Sequence, residues 1–532
     1  MSFVSPYPDV EIPDTSMFEF LLGAVATDQE LAGKVALVDG STGAETTYGQ
    51  LVAQVEALAG ALAATGFGKG DVAGLLAPNL PSFVTVFHGI VRSGGTATTI
   101  NALYTAREIA GQLTDSKASW LFTVSPFLPQ ADEAAAAVGI PPERVVTLDA
   151  VEGRTSLRDL LIQGHPAPEL TVDSAVELAV LPYSSGTTGR AKGVMLTHRN
   201  LIANVAQGAE LIHLDPDDKV LAVLPFFHIY GMSVLMNAGL WRGATIVTMP
   251  RFDLGEFLRI VAEQKITYVY IAPPIAVALA KHPAVDGADL SSIKIVFSGA
   301  APLDAELGAK VAARLGCKVR QGYGMSEMSP VSHSIPGDRD DIPLGTVGLT
   351  LPNMECKIVD PATGAEVEYP TEGTSAPGEL WCKGPNIMLG YLENPEATAL
   401  TLDDEGYLHT GDVATVSAEG YVSIVDRVKE LIKYKGYQVP PAELEALLLT
   451  HDKIADAACI GVNDADGEEV PKAFVVLQPG VEMSEQEVMD FVAANVAPHK
   501  KVRVVSFLDV IPKSSAGKIL RKDLRALEVA PS

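Results

Sequence analysis

Between about residues 36 and 352 the chain alternates two patterns. Apolar, β-branched runs at 220–224, 244–249, 266–271 and 293–297 read as buried strands. Amphipathic stretches lie between them. Leu254, Phe257, Leu258 and Val261 fall at i, i+3, i+4 and i+7, on one helix face. Strands alternating with helices predict an α/β fold with parallel sheets covered on both faces. Ligands of such sheets collect at the loops beyond the strand C-termini. Those loops are rich here in Gly, Pro, His and Ser. From about 346 to 425 the pattern changes to short strands (354–359, 378–382, 421–425) separated by Gly, Pro and Asp turns. That predicts a small β-rich subdomain. Beyond Asp426-Arg427 come about 106 residues of mixed strands and helices, an α+β unit. The run Ala134–Ala137 suits a surface helix, and no internal repeat is evident.

A chain of 532 residues exceeds what one core usually serves, so at least two domains are expected. Hydrophobic residues at 47% and aromatics at 6% suit a globular enzyme. The net charge of −27 argues against a nucleic-acid binder, which needs a positive surface. Cys317, Cys356, Cys382 and Cys459 are widely spaced, without zinc-ligand spacing among them or the histidines. They are expected to be buried thiols in a reducing compartment. The N-terminus has no basic region leading into an apolar one. No uncharged apolar run is long enough to span a bilayer. The chain ends without a Ser-Lys-Leu address, so a cytoplasmic location is expected.

Six segments carry candidate chemistry. Tyr183-Ser-Ser-Gly-Thr-Thr-Gly-Arg-Ala-Lys-Gly193 packs three glycines, four Ser/Thr hydroxyls and two cations into one loop. Such a loop can wrap N–H groups, hydroxyls and a lysine around phosphate, or be a polar surface linker. Lys192 is followed by glycine, which separates it from the common NTPase loop. Ser298-Gly-Ala-Ala-Pro302 follows a predicted strand, and its small residues let a flat ring approach the backbone; it is equally an ordinary turn. In Gln321-Gly-Tyr-Gly-Met-Ser-Glu327, Tyr323 can stack on a base and Glu327 can offer a hard oxygen to Mg²⁺. Asp412, in Tyr407-Leu-His-Thr-Gly-Asp412, reads as a turn aspartate able to accept from two ribose hydroxyls. The cation-rich segment 426–438 lies where a hinge would be, although charge runs are usually solvated faces. From Lys500 to Arg525 there are eight Lys/Arg and two Asp. Gly517 there suggests that Lys518 is held on a turn and presented outward.

Together and in this order, the six segments resemble the adenylate-forming acyl-CoA synthetase family. It includes 4-coumarate–CoA ligases, fatty acyl-CoA synthetases, firefly-type luciferases and peptide-synthetase adenylation domains. The resemblance covers essentially the whole chain. Ser184-Ser-Gly-Thr-Thr-Gly189, Pro225-Phe-Phe-His-Ile-Tyr-Gly231 and Val439-Pro-Pro-Ala-Glu-Leu-Glu445 look closest to the coumarate-ligase and luciferase branch. It implies a large N-terminal adenylation domain, 1–426, whose β-rich subdomain at about 346–425 is barrel-like. A small mobile C-terminal lid, 427–532, follows. It also implies a reaction: a carboxylate and ATP give an acyl-AMP and pyrophosphate, and coenzyme A then gives the thioester and AMP.

By the same resemblance Ser184, Ser185, Thr187, Thr188 and Lys192 hold the β- and γ-phosphates, on a loop shaped by Gly186 and Gly189. Ser326 meets the α-phosphate and Glu327 the Mg²⁺. Ala301, Pro302 and Tyr323 flank adenine, and Asp412 and Arg427 bind ribose. Gly299, Ala300, Gln321, Gly322, Gly324 and Met325 complete the nucleotide site. Lys518 bridges the carboxylate and the α-phosphate. Rotation about Asp426 then swings Lys518 out and brings Lys435-Gly436 to the thiol reaction. Lys429 and Gln438 serve one or other state, and His228 gates the acyl pocket. Where the family often has Thr, this chain has Ser326.

The implied acyl pocket is lined by Tyr230, Gly231, Val234, Phe297, Pro330 and Val331. Glycines 299, 322 and 324 are expected to leave a flat slot for a planar acid. The 225–231 segment lacks the aspartate that amino-acid-activating relatives use. Phe297 stands where plant coumarate ligases often have lysine. The expected acids are cinnamate and 4-coumarate. Alternatives are a medium-chain fatty acid, or a luciferase-like adenylating monooxygenase. The expected partners are the acid, ATP and CoA, with the protein a monomer or homodimer.

Overall fold

The computed structural model describes residues 2–184, 191–434, 437–464, 469–514 and 517–529. A large N-terminal domain is built on two sheets. Six parallel strands form the centre of the larger one, in the order Lys318–Gly324, Ile295–Ser298, Tyr268–Ile271, Lys219–Ala222, Thr245–Thr248 and Val35–Asp39. The other has Leu178–Val180, Thr96–Thr99, Val72–Leu76, Trp120–Thr123 and Val145–Thr147 in parallel. The helix Pro81–Arg92 packs against strands of both sheets and is buried from Phe83 to Val91. An apolar run buried all round can take no other place.

The sheets are not purely parallel, as the alternation of elements suggested. Val331–Ser334 and Leu349–Thr350 return antiparallel along one edge of the larger sheet, and Glu45–Thr47 along the other. In the second sheet, Lys192–Thr197 runs antiparallel to Leu178–Val180 and pairs with Gly390–Tyr391 on its far side. Short loops permit only antiparallel return. These edge strands bring residues distant in sequence to the cleft.

The β-rich subdomain is a five-stranded antiparallel sheet. Its order is Phe3–Val4, Glu355–Val359, Gly378–Lys383, Leu408–Val416 and Val422–Arg427. The N-terminal strand was not foreseen. Asp412 also differs from expectation, because it lies inside the strand Leu408–Val416 and not on a turn. Leu408, Thr410 and Asp412 alternate inward, and Gly411 at φ +70° accommodates an irregular register. The alanine run lies in the helix Leu128–Val138, which buries Ala131, Ala134 and Ala135, so it is only half a surface helix.

The smaller C-terminal domain has its own cores. Ile432, Leu444, Ala473, Val488 and Val505 belong to one, and Ile460, Phe474 and Leu524 to another. The main core ends at Val422. All four cysteines are free thiols. Among the described residues no helix is long and apolar enough to cross a membrane.

Candidate active site

Three parallel strands, Tyr268–Ile271, Ile295–Ser298 and Lys318–Gly324, open one wall of the site at their C-terminal ends. After Ser298 the backbone turns at Ala300, whose φ of +69° is a left-handed conformation uncommon outside glycine. Such backbone strain clusters at ligand sites. Gln321 braces this turn. Its carbonyl accepts from the Leu303 N–H at 3.2 Å, and its amide donates to the Leu303 carbonyl at 3.4 Å and to that of Leu344. Gly299, Ala301 and Pro302 are thereby carried at the strand ends. Ser326 opens a single helical turn after Met325, and Glu327 within it is buried.

Asp412 is held from two sides. The Tyr323 hydroxyl donates to Oδ2 at 2.6 Å, and Arg427 Nε lies 3.2 Å from Oδ1. Burial and the Asp412 charge push the Tyr323 phenol well above its ordinary pKa, so it stays a donor. The pair Asp412–Arg427 is also a direct cross-strand neighbour pair. Both Asp412 oxygens are thus engaged by protein groups, one of them an aromatic hydroxyl.

Glu327 is fixed by a residue that sequence reasoning missed. The Tyr391 hydroxyl donates to its Oε1 at 2.8 Å, and the Met388 N–H donates to its backbone carbonyl at 2.9 Å. The Lys192 ammonium sits 4.0 Å from the centre of the same Tyr391 ring. One tyrosine thus joins the candidate phosphate lysine to the candidate metal carboxylate. Ser184 pairs with Lys192 across a hairpin, so the glycine-rich loop connects two antiparallel strands. Ser185, Gly186, Thr187, Thr188 and Gly189 lie outside the described residues.

Lys518 enters from the C-terminal domain. A tight turn presents it: the Ser514 N–H donates to the Lys518 carbonyl at 2.8 Å, and Gly517 takes φ +81°. It faces inward to the cleft and not outward, because the turn packs on the large domain. A Cβ on Gly517 would come 3.2 Å from the Ala272 side chain and 3.5 Å from Pro274. Burial lowers the Lys518 pKa to about 8, with Arg427 adding to the effect and Asp412 and Glu327 opposing it.

His228 is held by its loop. Asn79 donates to the carbonyls of Ala222 and Leu224 at 2.8 Å each and accepts from the Phe226 N–H at 2.7 Å. Thr99 donates to the Phe227 carbonyl at 2.7 Å. The ring Nδ1 accepts from the Tyr230 N–H at 3.2 Å, which leaves the proton on Nε2. Burial, then the nearby Lys518 charge, pushes the His228 pKa down to about 4.

Tyr230 begins a buried π-helical segment, Tyr230–Asn237, that includes Gly231 and Val234. Its ring, with Tyr270 and Phe297, forms an aromatic cluster with centroid separations of 6.3 and 5.7 Å. The glycines serve close approach, a tighter role than the flat slot expected. A Cβ on Gly299 would meet the Tyr230 ring at 2.8 Å, and one on Gly322 the His333 carbonyl at 2.8 Å and Phe297 at 3.1 Å. On Gly324 it would meet the Pro330 carbonyl at 2.1 Å. Val331 is fixed by Asn204, which donates to its carbonyl at 2.7 Å and accepts from its N–H at 3.1 Å.

Other predicted residues stand apart. Lys429 is exposed on the turn after the strand Val422–Arg427. Gln438 pairs through its backbone with Lys433. Lys435 and Gly436 lie outside the described residues. Asp426 accepts from the N–H groups of Ala442 at 2.9 Å and of Arg427 at 2.7 Å, which ties the strand end to the helix Pro441–Thr450. Tyr391 and Asn79 carried no sequence signal, since neither sits in a polar or glycine-rich run. Their partners are 64 and 143–147 residues away.

Comparison with known proteins identifies the family. Residues 25–392 match the family described as AMP-binding enzyme, and residues 443–518 its C-terminal domain. A relative named 4-coumarate–CoA ligase 3, from Oryza sativa subsp. japonica, is 42% identical over 98% of this chain and 94% of its own. Among solved structures, an anthranilate CoA ligase in complex with anthranoyl-AMP has a TM-score of 0.88 at 27% identity, covering 97% of this chain and 98% of its own. ATP-bound MatB from Rhodopseudomonas palustris has a TM-score of 0.85 at 30% identity, covering 96% and 99%.

Proposed function

The chain belongs to the AMP-binding enzyme family, and from that premise we propose an ATP-dependent, AMP-forming carboxylate–CoA ligase acting on 4-coumarate/cinnamate-type acids. The observation that carries this proposal is the entry of Lys518 from the C-terminal domain into the cleft that holds Asp412, Arg427 and Glu327.

Adenine lies against Tyr323, Ala301 and Pro302, and Asp412 accepts from the ribose hydroxyls. Lys192 and the loop from Ser184 through Gly189 grip the outer phosphates, with the Ser326 hydroxyl at the α-phosphate. The acid's carboxylate oxygen attacks the α-phosphorus, the α–β bridge breaks, and pyrophosphate leaves. Lys518 stabilises the charge that builds between the carboxylate and the α-phosphate. Glu327 fits Mg²⁺: Tyr391 fixes one oxygen and leaves Oε2 for a ligand. Among the described residues there is no cluster of three or more metal-ligating side chains. A single carboxylate shared with substrate phosphates is the usual magnesium arrangement. When bound, the ion neutralises phosphate charge.

The thiol of CoA then attacks the acyl carbon and AMP departs. For this step the C-terminal domain, 427–532, turns about Asp426, withdraws Lys518 and brings in Lys435-Gly436. The separate cores of the two domains support such rigid-body movement. His228, neutral through its lowered pKa, lies between acyl pocket and thiol. A panel of acids with ATP, Mg²⁺ and CoA tests the proposal through AMP release and thioester formation. Thioester with cinnamate and 4-coumarate is the expected result. Activity on fatty acids alone would overturn the acid assignment, and light from luciferin without any thioester would overturn the ligase.

Two further outcomes follow. Phe297→Lys puts an ammonium beside Tyr270 and Tyr230, so kcat/KM for 4-coumarate should rise relative to cinnamate. An unchanged ratio would remove Phe297 from the pocket. The pH profile should also carry a mark of Lys518, which works as a cation. Its amine loses the proton as pH rises through about 8 in the free protein. Hence kcat/KM for ATP falls above that value, while bound polyphosphate raises the pKa and moves the kcat limb to higher pH.

A further inference from the structure

The helix Pro273–Lys281 links the two domains at both of its ends. At its start, Pro274 packs against the turn of Gly517 that presents Lys518. At its end, the Lys281 ammonium crosses the cleft. It donates to the carbonyls of Leu449 at 3.1 Å and Ile454 at 3.2 Å, both in the C-terminal domain. Leu449 lies in the last turn of the helix Pro441–Thr450, and Ile454 opens the strand Ile454–Asn463.

The last carbonyls of a helix have no intrahelical donor, and they carry the negative end of its dipole. This helix has no basic residue in its own last turn, and its C-cap, His451, is extended and not left-handed. Local groups meet only part of this end: the Thr450 hydroxyl donates to the Leu447 carbonyl at 2.7 Å and the His451 N–H to that of Leu448 at 3.1 Å, while the cation on the Leu449 carbonyl comes from the other domain. Partial burial lowers the Lys281 pKa, with Lys310 adding to the effect and Asp452 opposing it.

We propose that Lys281 is a positioning residue for adenylation: it caps the helix Pro441–Thr450 across the domain boundary and so latches the arrangement in which Lys518 occupies the cleft. The proposal rests on the two-state ligase cycle proposed above. When the C-terminal domain turns about Asp426, the carbonyls of Leu449 and Ile454 leave with it, whereas Lys281 stays behind. A contact made in one state only biases the equilibrium between the two.

The test separates the half-reactions in single-turnover experiments on the full chain. One measures acyl-AMP formation without CoA, the other thioester formation from supplied acyl-AMP and CoA. Lys281→Met should lower acyl-AMP formation roughly 3- to 15-fold, the scale of partly exposed hydrogen bonds from a charged group. Thioester formation should stay constant or rise, and Lys281→Arg should restore most of the loss. Fluorophores on the two domains should report a smaller closed population in Lys281→Met. Equal loss in both half-reactions would mean a merely structural lysine, and no change in either would mean no latch; each overturns the proposal. If the wild-type protein forms no acyl-AMP from any acid, the ligase proposal itself fails. If the wild type performs both steps and Lys281→Met is indifferent, only the latch fails.

Discussion

Lys518→Ala is expected to lower the rate of acyl-AMP formation by ~10²–10³, the usual cost of losing one preorganised donor at developing charge. The size follows from the surroundings. The amine is taken largely out of water, next to Arg427, and its pKa falls to about 8. A desolvated cation interacts strongly with transition-state charge because the site need not reorganise. Among the described residues Lys518 makes no ion pair within 4.0 Å to offset its burial. Alanine should therefore leave thermal stability unchanged or slightly raised, which separates a chemical loss from a folding loss. Thioester formation from supplied acyl-AMP should stay near the wild-type rate, because the proposed rotation withdraws the lysine before that step. Rapid-quench assays of both half-reactions, with a thermal melt, check this. Unchanged acyl-AMP formation would remove Lys518 from catalysis.

Asp412→Asn is expected to reduce kcat/KM for ATP by roughly 10²-fold, with the KM for the acid little changed. The carboxylate receives the Tyr323 hydroxyl on one oxygen and Arg427 on the other. Its remaining lone pairs are those available to a ribose. Asparagine keeps the shape but turns one oxygen into a donor, which must then face Tyr323 or Arg427. Two charge-assisted hydrogen bonds weakened at ~1.5 kcal/mol each give about this factor. Calorimetric titration with ATP should show the same loss in affinity. If ATP binds Asp412→Asn as it binds the wild type, the ribose assignment is wrong.

Much of the local structure around the candidate site was legible along the chain. Ser298-Gly-Ala-Ala-Pro302 follows a strand, and Gly517 does place Lys518 on a turn. Asp412 was read as a turn residue and lies inside a strand, because inward alternation along a strand and turn composition look alike around a glycine. Gly299, Gly322 and Gly324 were noticed as small residues, yet what they accommodate is a tyrosine ring, a phenylalanine ring and a returning strand. Tyr391, Asn79 and Lys281 could not be found, since their partners lie 64 to 173 residues away.

The division follows from the range of the forces. Hydrophobic period, turn residues and the chemistry of each side chain act over a few positions, so the alternating elements and the six segments were determined by sequence alone. That extends to the class of chemistry, because a phosphate-suited loop, a ribose-suited aspartate and a distant lysine recur in one order. Which groups meet is another matter. Antiparallel edge strands carry Tyr391 to Glu327, cross-strand register sets Arg427 opposite Asp412, and domain packing turns Lys518 inward while Lys281 caps a helix in the other domain. Those contacts come from packing long-range elements into common cores, and only the tertiary structure decides them.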